Sequence, residues 1–392
     1  MNQKLFMDYA KKIFPELLGI RRNIHKNPEL SFQEFDTSKL IQTELNKLNI
    51  PFKTISGTGV VAMIGAGENC VALRADIDAL PVSEETGLNF SSDNRGVMHA
   101  CGHDMHTTML LGAAKILKSM ENNLNGCVKL IFQPGEEQLP GGASILIKEG
   151  VLENPKPQAI FAQHVSPEEP SGKISLAEKY IMASADELYW KITGKGCHAA
   201  QPHLGNDTIL AATHLISNLQ SLVSRLRNPI EPGVLSVTSI HGGSATNIIP
   251  EKVEMKGTLR SFNNEWRMDT LKLIEKFSKD ICALYGCECS FDPIIGYPPV
   301  FNNSETTTIA RETAKSIFGD ENVLDFEPKM WAEDFAYYGL EIPATFWFLG
   351  TKNPDSENAP GLHNPKFNPE EEALIYGTAM LAAVADEYLR KL

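Results

Sequence analysis

Apolar residues recur at helical spacing from Phe6 to Lys26 and again from Phe35 to Leu48, on either side of an Asn27-Pro28-Glu29 turn. The pattern predicts two helices at the start of the chain. Val60 to Ile64 and Cys70 to Arg74 then read as short apolar strands, followed by a helix over Thr107 to Met120 and a strand over Cys127 to Phe132. A further strand, Ala159 to Gln163, ends at His164. This alternation predicts an α/β sheet. It sets Arg74-Ala75-Asp76, Gln133 to Glu137 and His164 just beyond strand C-termini, the edge at which open α/β sheets bind ligands.

From Asp186 the pattern changes. A strand at Glu187 to Thr193, a helix at Thr208 to Leu226, strands at Val234 to His241 and Lys252 to Ser261, a helix at Glu265 to Tyr285 and a strand at Glu288 to Pro293 follow in turn. The β-α-β-β-α-β order predicts a compact, ferredoxin-like α+β insertion. Past Gly296-Tyr297-Pro298-Pro299 the chain returns to helix (Thr306 to Phe318), strand (Ala344 to Leu349) and a closing helix from Pro369 to Lys391. The expected division is one domain formed by 1–183 and 295–392, interrupted by a second over 184–294. No internal repeat or low-complexity tract is visible.

Composition narrows the class. With 42% hydrophobic and 22% charged residues over 392 positions, the chain can bury large cores. A net charge of −13, without a dense Lys/Arg run, argues against nucleic acid or an anionic membrane as partner. No stretch approaches the ~20 apolar residues of a membrane-spanning helix. Lys4, Asp8, Lys11, Lys12 and Glu16 interrupt the first helix, so it does not read as a signal peptide, and a cytoplasmic location is expected. Seven cysteines without a CxxC pair do not suggest a disulfide framework; a special cysteine here is more naturally a ligand.

The densest chemistry is His99-Ala100-Cys101-Gly102-His103-Asp104-Met105-His106. A thiolate at Cys101 and an imidazole at His103, two residues apart in a loop, can both point into one metal site; the same cluster also reads as a helix cap with solvated histidines. The second cluster, Gln133-Pro134-Gly135-Glu136-Glu137, follows a strand directly. Neighbouring side chains on extended backbone point opposite ways, so one carboxylate can bind metal while the other moves protons. His164 and His363 supply the nitrogen ligands that two metal ions would still need.

On these residues the chain resembles the aminoacylase, hippurate hydrolase and indole-acetyl-amino-acid hydrolase branch of the co-catalytic dimetal metallopeptidases. The resemblance runs through Arg22 to His25 with Pro28 to Ser31, Leu73 to Pro81, His99 to His106, Phe132 to Glu137, Gly196 to Pro202 and Asn247 to Pro250. It implies an α/β/α catalytic domain (1–183 and 295–392) with a dinuclear metal site, and a lid that also dimerises (184–294). It implies two divalent ions per subunit, Zn or Mn, held by Cys101, His103, Glu137, His164 and His363. Many members of the wider family have His-x-Asp where this chain has Asp76-Ile77-Asp78, and Cys101 with His103 would compensate. Asp78 matches the supporting aspartate that orients a ligand, with Asp76 as the other candidate; either could simply cap a turn.

The activity implied is hydrolysis of the amide of an N-acyl amino acid, acetyl, benzoyl or similar, by a metal-bound hydroxide. Glu136 would be the general base and would pass the proton to the leaving amine. His198 matches the lid histidine that binds the substrate carbonyl oxygen, in dimeric relatives at the partner's site. Asn247 and Arg260 match lid positions that bind the substrate carboxylate, a role suited to the planar Arg fork; Arg260 also reads as a surface strand residue. A homodimer or dimer-based oligomer is expected. Two alternatives stand beside this reading: a dipeptidase or carboxypeptidase with the same machinery, and a non-catalytic metal-binding scaffold.

Overall fold

The computed structural model describes residues 4–353 and 359–392. By contacts the chain divides into two compact units. The first comprises Met1–Ile181, Phe301–Pro328 and Asp334–Leu392, the second Met182–Val300 and Lys329–Glu333.

The first unit opens with helices α1 (Lys4–Lys26) and α2 (Phe35–Lys47), then strands β1 (Phe52–Ile55), β2 (Gly59–Gly65) and β3 (Cys70–Asp76). Helix α3 (His103–Ser119), strand β4 (Cys127–Gln133), helix α4 (Gly142–Lys148) and strands β5 (Ala159–Pro170), β6 (Ile174–Leu176) and β7 (Lys179–Met182) follow. The second unit carries β8 (Asp186–Thr193), β9 (Cys197–His198), α5 (Thr208–Ser224), β10 (Gly233–Gly242), β11 (Ile248–Ile249), β12 (Lys252–Ser261), α6 (Asn264–Leu284) and β13 (Glu288–Ile295). The return comprises β14 (Val300–Asn302), α7 (Ser304–Phe318), β15 (Val323–Asp325), α8 (Ala336–Glu341), β16 (Ala344–Lys352) and α9 (Ala373–Lys391).

An eight-stranded mixed sheet, in the order β1-β2-β4-β3-β5-β16-β6-β15, forms the backbone of the first unit. Its centre, β4-β3-β5-β16, is parallel. Every residue of β3 and β4 is buried, as expected for strands covered on both faces. Helices α1, α3 and α9 pack on one another and α3 and α9 lie against β3, closing the core around Leu73, Met109, Phe161 and Trp347. In the second unit β10-β12-β8-β13 is a wholly antiparallel sheet. Strand β8 alternates between buried and more exposed positions, and its Leu188, Trp190 and Ile192 meet Leu215 and Leu219 of α5 and Ile274 of α6. The two architectures are the α/β sheet and the ferredoxin-like α+β insertion expected from periodicity.

Three boundaries beside the candidate site differ from the sequence reading. Helix α3 begins at His103, not Thr107, because Gly102 adopts φ +85° and its carbonyl accepts from Met105 N and His106 N. Strand β5 continues past His164 to Pro170 because β16 pairs with it that far, so His164 sits within a strand and not beyond its end. Arg74, Ala75 and Asp76 likewise complete β3, paired with Ile131, Phe132 and Gln133 of β4.

Candidate active site

Cys101 lies just before α3 and His103 begins it. A Cβ on Gly102 would run into the Val165 side chain, so the left-handed turn also allows this stretch to approach β5 closely. Cys101 Sγ is 3.4 Å from His164 Nε2 and 3.3 Å from His363 Nε2. The His363 main chain is tied in by its N–H donating to Ala100 O at 2.8 Å, with His363 itself at φ +62°. Glu137 Oε1 stands 3.3 Å from His363 Nε2 and 3.9 Å from His103 Nε2. Three donor sets result, each with all donor atoms within 4.8 Å of one another: Cys101 with His103 and His164, Cys101 with Glu137 and His363, and His103 with Glu136 and Glu137. Cys101 belongs to two of them.

These groups come from separate elements, and each is fixed by a partner. Asp78 accepts from Ser31 Oγ (2.6 Å) and from the Glu137 main-chain N–H (3.0 Å) on one oxygen, and its other oxygen is 3.2 Å from His103 Nδ1. One aspartate thereby orients both an imidazole and the neighbouring acidic turn. That turn is pinned again at Gly135, whose N–H donates to the buried Glu34 carboxylate at 2.9 Å, while Thr58 Oγ1 donates to the same group at 2.6 Å. Gly135 is at φ +60°, and a side chain there would strike the Phe32 ring. Asp76 instead bonds His106 Nδ1 (2.6 Å) and Arg74 Nη1 (2.8 Å).

The electrostatics of the cluster fit a divalent cation. His103 Nε2 and Glu137 Oε1 are buried without a hydrogen-bond partner among the described residues. Such orphans are costly unless something binds them. Burial, reinforced by Glu137, Glu136 and Asp76, pushes the Cys101 thiol well up. Burial opposes a charged His103, yet Asp76, Asp78 and Glu137 outweigh it and push this imidazole up to about 10. His164 moves the other way, held neutral mainly by burial. The protons that the carboxylate-rich cluster draws onto Cys101 and His103 are those that metal binding displaces. Thiolate, imidazole and carboxylate together make a donor set suited to zinc, and the imidazole and carboxylate part also to manganese.

His198, Asn247 and Arg260 lie in the second unit. His198 pairs with Ile248 in the β9–β11 ribbon, and Ala199 N donates to Asn247 O at 2.9 Å, so His198 and Asn247 are neighbours and both exposed. His198 Nδ1 accepts from Ala200 N at 3.1 Å, which leaves a neutral ring with its proton on Nε2 as a free donor. Arg260, on β12, is half-buried and its Nε donates to Thr258 Oγ1 at 3.2 Å.

Two groups that hold the site had no role assigned from sequence, although Glu333-Asp334-Phe335 resembles a pocket-lining segment of the family and Asp104 falls in the histidine-rich cluster. Asp334 accepts from Arg74 Nη2 (2.9 Å), Gln133 Nε2 (2.8 Å) and Ala143 N (2.9 Å), tying β3, β4 and the start of α4 together. Asp104 Oδ2 forms an ion pair with Arg21, whose Nε lies at 2.8 Å, and a hydrogen bond with His25 Nδ1, also at 2.8 Å. A signal was present: Arg74 within an otherwise apolar strand demands buried counter-charges.

Comparison with known proteins fits this geometry. The chain belongs to peptidase family M20/M25/M40, whose model matches residues 72–387. It is 40% identical over 395 residues to the IAA-amino acid hydrolase ILR1-like 4 of Arabidopsis thaliana, covering 99% of this chain and 89% of the relative. To the N-acetyl-L-cysteine deacetylase of Bacillus subtilis it is 39% identical over 378 residues, covering 95% and 88%. Among solved structures it is similar to the Bacillus subtilis YXEP protein, a dinuclear metal binding peptidase from the M20 family, with TM-score 0.84, 35% identity and coverage of 97% and 100%.

Proposed function

We propose that this protein hydrolyses the amide bond of N-acyl amino acids with two divalent ions, Zn or Mn, bound per subunit. The carrying observation is the convergence of Cys101, His103, His164, Glu137 and His363 into overlapping donor sets, with Glu136 beside them. Two of the donor atoms, His103 Nε2 and Glu137 Oε1, are buried with no hydrogen-bond partner among the described residues. Relatives named for amide hydrolysis of amino acid conjugates support the substrate class.

In this reading the five residues are the ligands, with Cys101 shared between the two sets. Bound there, two divalent ions would supply Lewis-acid polarisation of the carbonyl and an acidified water. Glu136, not needed as a ligand, takes the proton of the attacking water on its carboxylate and returns it to the leaving nitrogen. Asp78 keeps His103 Nδ1 protonated and so aims the Nε2 lone pair into the site. His198 donates from Nε2 to the developing oxyanion, and Asn247 with Arg260 recognises the substrate carboxylate. These three lid assignments, and a homodimeric assembly, rest on motif resemblance.

Metal analysis of protein purified without added metal, followed by a screen of N-acetyl and N-benzoyl amino acids against dipeptides, tests the proposal. We expect two equivalents of metal per chain and faster turnover of the acyl amino acids. Preference for dipeptides would replace the reading with a peptidase, and bound metal without any turnover would replace it with a scaffold. Alkylation gives an independent check: Cys101 should be shielded until a chelator strips the metal. Equal labelling with and without chelator removes Cys101 from the ligand set.

A further inference from the structure

His106 stands in the middle of the metal-ligating cluster and ligates nothing in the reading above. Its Nδ1 is 2.6 Å from Asp76 Oδ1, and its Nε2 receives a hydrogen bond of 2.9 Å from the main-chain N–H of Val165. An amide N–H can only donate, so Nε2 is unprotonated and a neutral ring carries its proton on Nδ1, facing the carboxylate. The other oxygen of Asp76 is occupied by Arg74 Nη1 at 2.8 Å. Arg74, Asp76 and His106 are all buried. Asp76, His103 and His106 come close enough together to suggest another cation site. With both ring nitrogens of His106 committed, this imidazole has no lone pair left for a cation.

The hydrogen bond of His106 falls at a decisive point of β5. The β3–β5 ladder stops with Arg74 opposite Ala162. Three residues further on, the Val165 N–H finds its acceptor on a side chain of α3 in place of a strand. The Val165 carbonyl in turn accepts from His164 Nδ1 at 2.8 Å, which leaves His164 Nε2 unprotonated and 3.4 Å from Cys101 Sγ. Both polar main-chain groups of Val165 are therefore held by histidines, one of them the proposed ligand. A salt-bridged carboxylate, an imidazole and a peptide form one buried line from Arg74 to His164.

We propose that His106 is a positioning residue: anchored by Asp76, it fixes the main chain at Val165 and through it the aim of the His164 imidazole at the metal pair. The proposal rests on the reading of His164 as a ligand. It assigns His106 a role that its place in a histidine-rich motif does not reveal, since a third histidine there reads equally well as a third ligand.

Two substitutions separate the halves of this line. In His106→Asn the amide nitrogen takes the place of Nδ1 and keeps the bond to Asp76, but Val165 N–H loses its acceptor. In His106→Gln the amide oxygen takes the place of Nε2 and still accepts from Val165. Zn²⁺ is titrated into metal-stripped, full-length protein in competition with a chromophoric chelator, and the thermal midpoint of each metal-stripped variant is measured alongside. We expect His106→Asn to bind one Zn²⁺ ~10- to 100-fold more weakly and His106→Gln to stay within about threefold of wild type, the range typical of groups that orient a ligand. Equal affinities for Asn and Gln overturn the proposal. Should His106→Asn fail to fold, the test moves to wild-type protein labelled with ¹⁵N-histidine: a His106 ring protonated on Nδ1 with Nε2 accepting supports the proposal, and the Nε2–H tautomer overturns it. His164→Ala distinguishes the two levels. Undiminished Zn²⁺ binding in that variant overturns the ligand reading and the proposal with it, whereas weakened binding together with equal Asn and Gln affinities overturns the proposal alone.

Discussion

The cluster around Cys101 in the first unit and the ribbon around His198 in the second are built on opposite plans. In the first, functional side chains are mostly buried and side chains hold side chains: Asp78 on His103, Asp76 on His106, Asp334 on Arg74. In the second, His198 and Asn247 are exposed and set by main-chain bonds alone, with the His198 Nε2 face left open. A metal pocket must be preorganised because its donors repel one another until the cation arrives. A group that meets a changing substrate needs only the right tautomer and freedom to approach. Substitutions of the ligands and their supports in the first region should therefore disturb metal or fold together with activity, and those in the second activity alone.

Glu136→Gln provides the largest test, since it sits among the donors yet is assigned to protons. Turnover should fall ~10²- to 10⁴-fold with metal content near wild type, whereas Glu137→Gln should lose metal as well. Retention of more than about a tenth of wild-type activity is incompatible with a general base of that strength. His198→Ala comes next, with an expected ~10²- to 10³-fold loss in kcat, the usual effect of removing one oxyanion donor, at unchanged metal content and Tm. A fall in metal content would erase the contrast between the regions.

Asp78→Ala should show the reverse signature, metal affinity weakened ~10- to 100-fold as His103 and the Glu137 main chain lose their common acceptor. Metal titration of the stripped protein measures it, and undiminished affinity would mean that the pocket keeps its shape without this aspartate. The smallest effect concerns His25. Burial disfavours its charge, but the hydrogen bond and charge of Asp104, together with Glu84, outweigh burial and raise its pKa above the ordinary histidine value of 6.5. A raised folded-state pKa stabilises fully below the unfolded value and progressively less as pH rises through the folded one. The Tm advantage of wild type over His25→Asn should shrink as pH increases above 6.5; a constant or growing advantage would show that the imidazole is neutral in the fold.

Periodicity alone placed the long helices and the central strands of both units, because amphipathic helices and apolar strands carry their own signal; the short elements β1, β6, β7, β9, β11, β14, β15, α4 and α8 carry too few residues to show one. The closing helix shows the limit: expected from Pro369, it starts at Ala373, since nothing in the apolar pattern marks where the first hydrogen-bonded turn closes. Cys101 with His103, and Glu136 with Glu137, were legible as local pairs. His164 and His363 could be joined to them only by asking which nitrogen ligands two metal ions would still need, and then through the resemblance, for they are distant in sequence from Cys101 and come together only in the folded sheet and loop. The supporting groups were harder still. His106 acts on a main-chain N–H, which every residue but proline offers, and Asp334 answers a charge on a strand far from it in sequence. Neither leaves a spacing to read.

The position of β16 has a consequence for the order of events on the ribosome. It lies between β5 and β6 within the first sheet, yet in the chain it follows both of them and the whole second unit. Until Ala344 to Lys352 emerge, the strand bearing His164 has one bare edge, and the loop bearing His363 arrives later still. At ~5–20 residues per second, the whole second unit leaves the tunnel and can fold while its host sheet is still split. Under the proposed ligand set, a site that needs both His164 and His363 is thus complete only after the second unit has emerged, and until then the open edge of β5 has no ion to steady it.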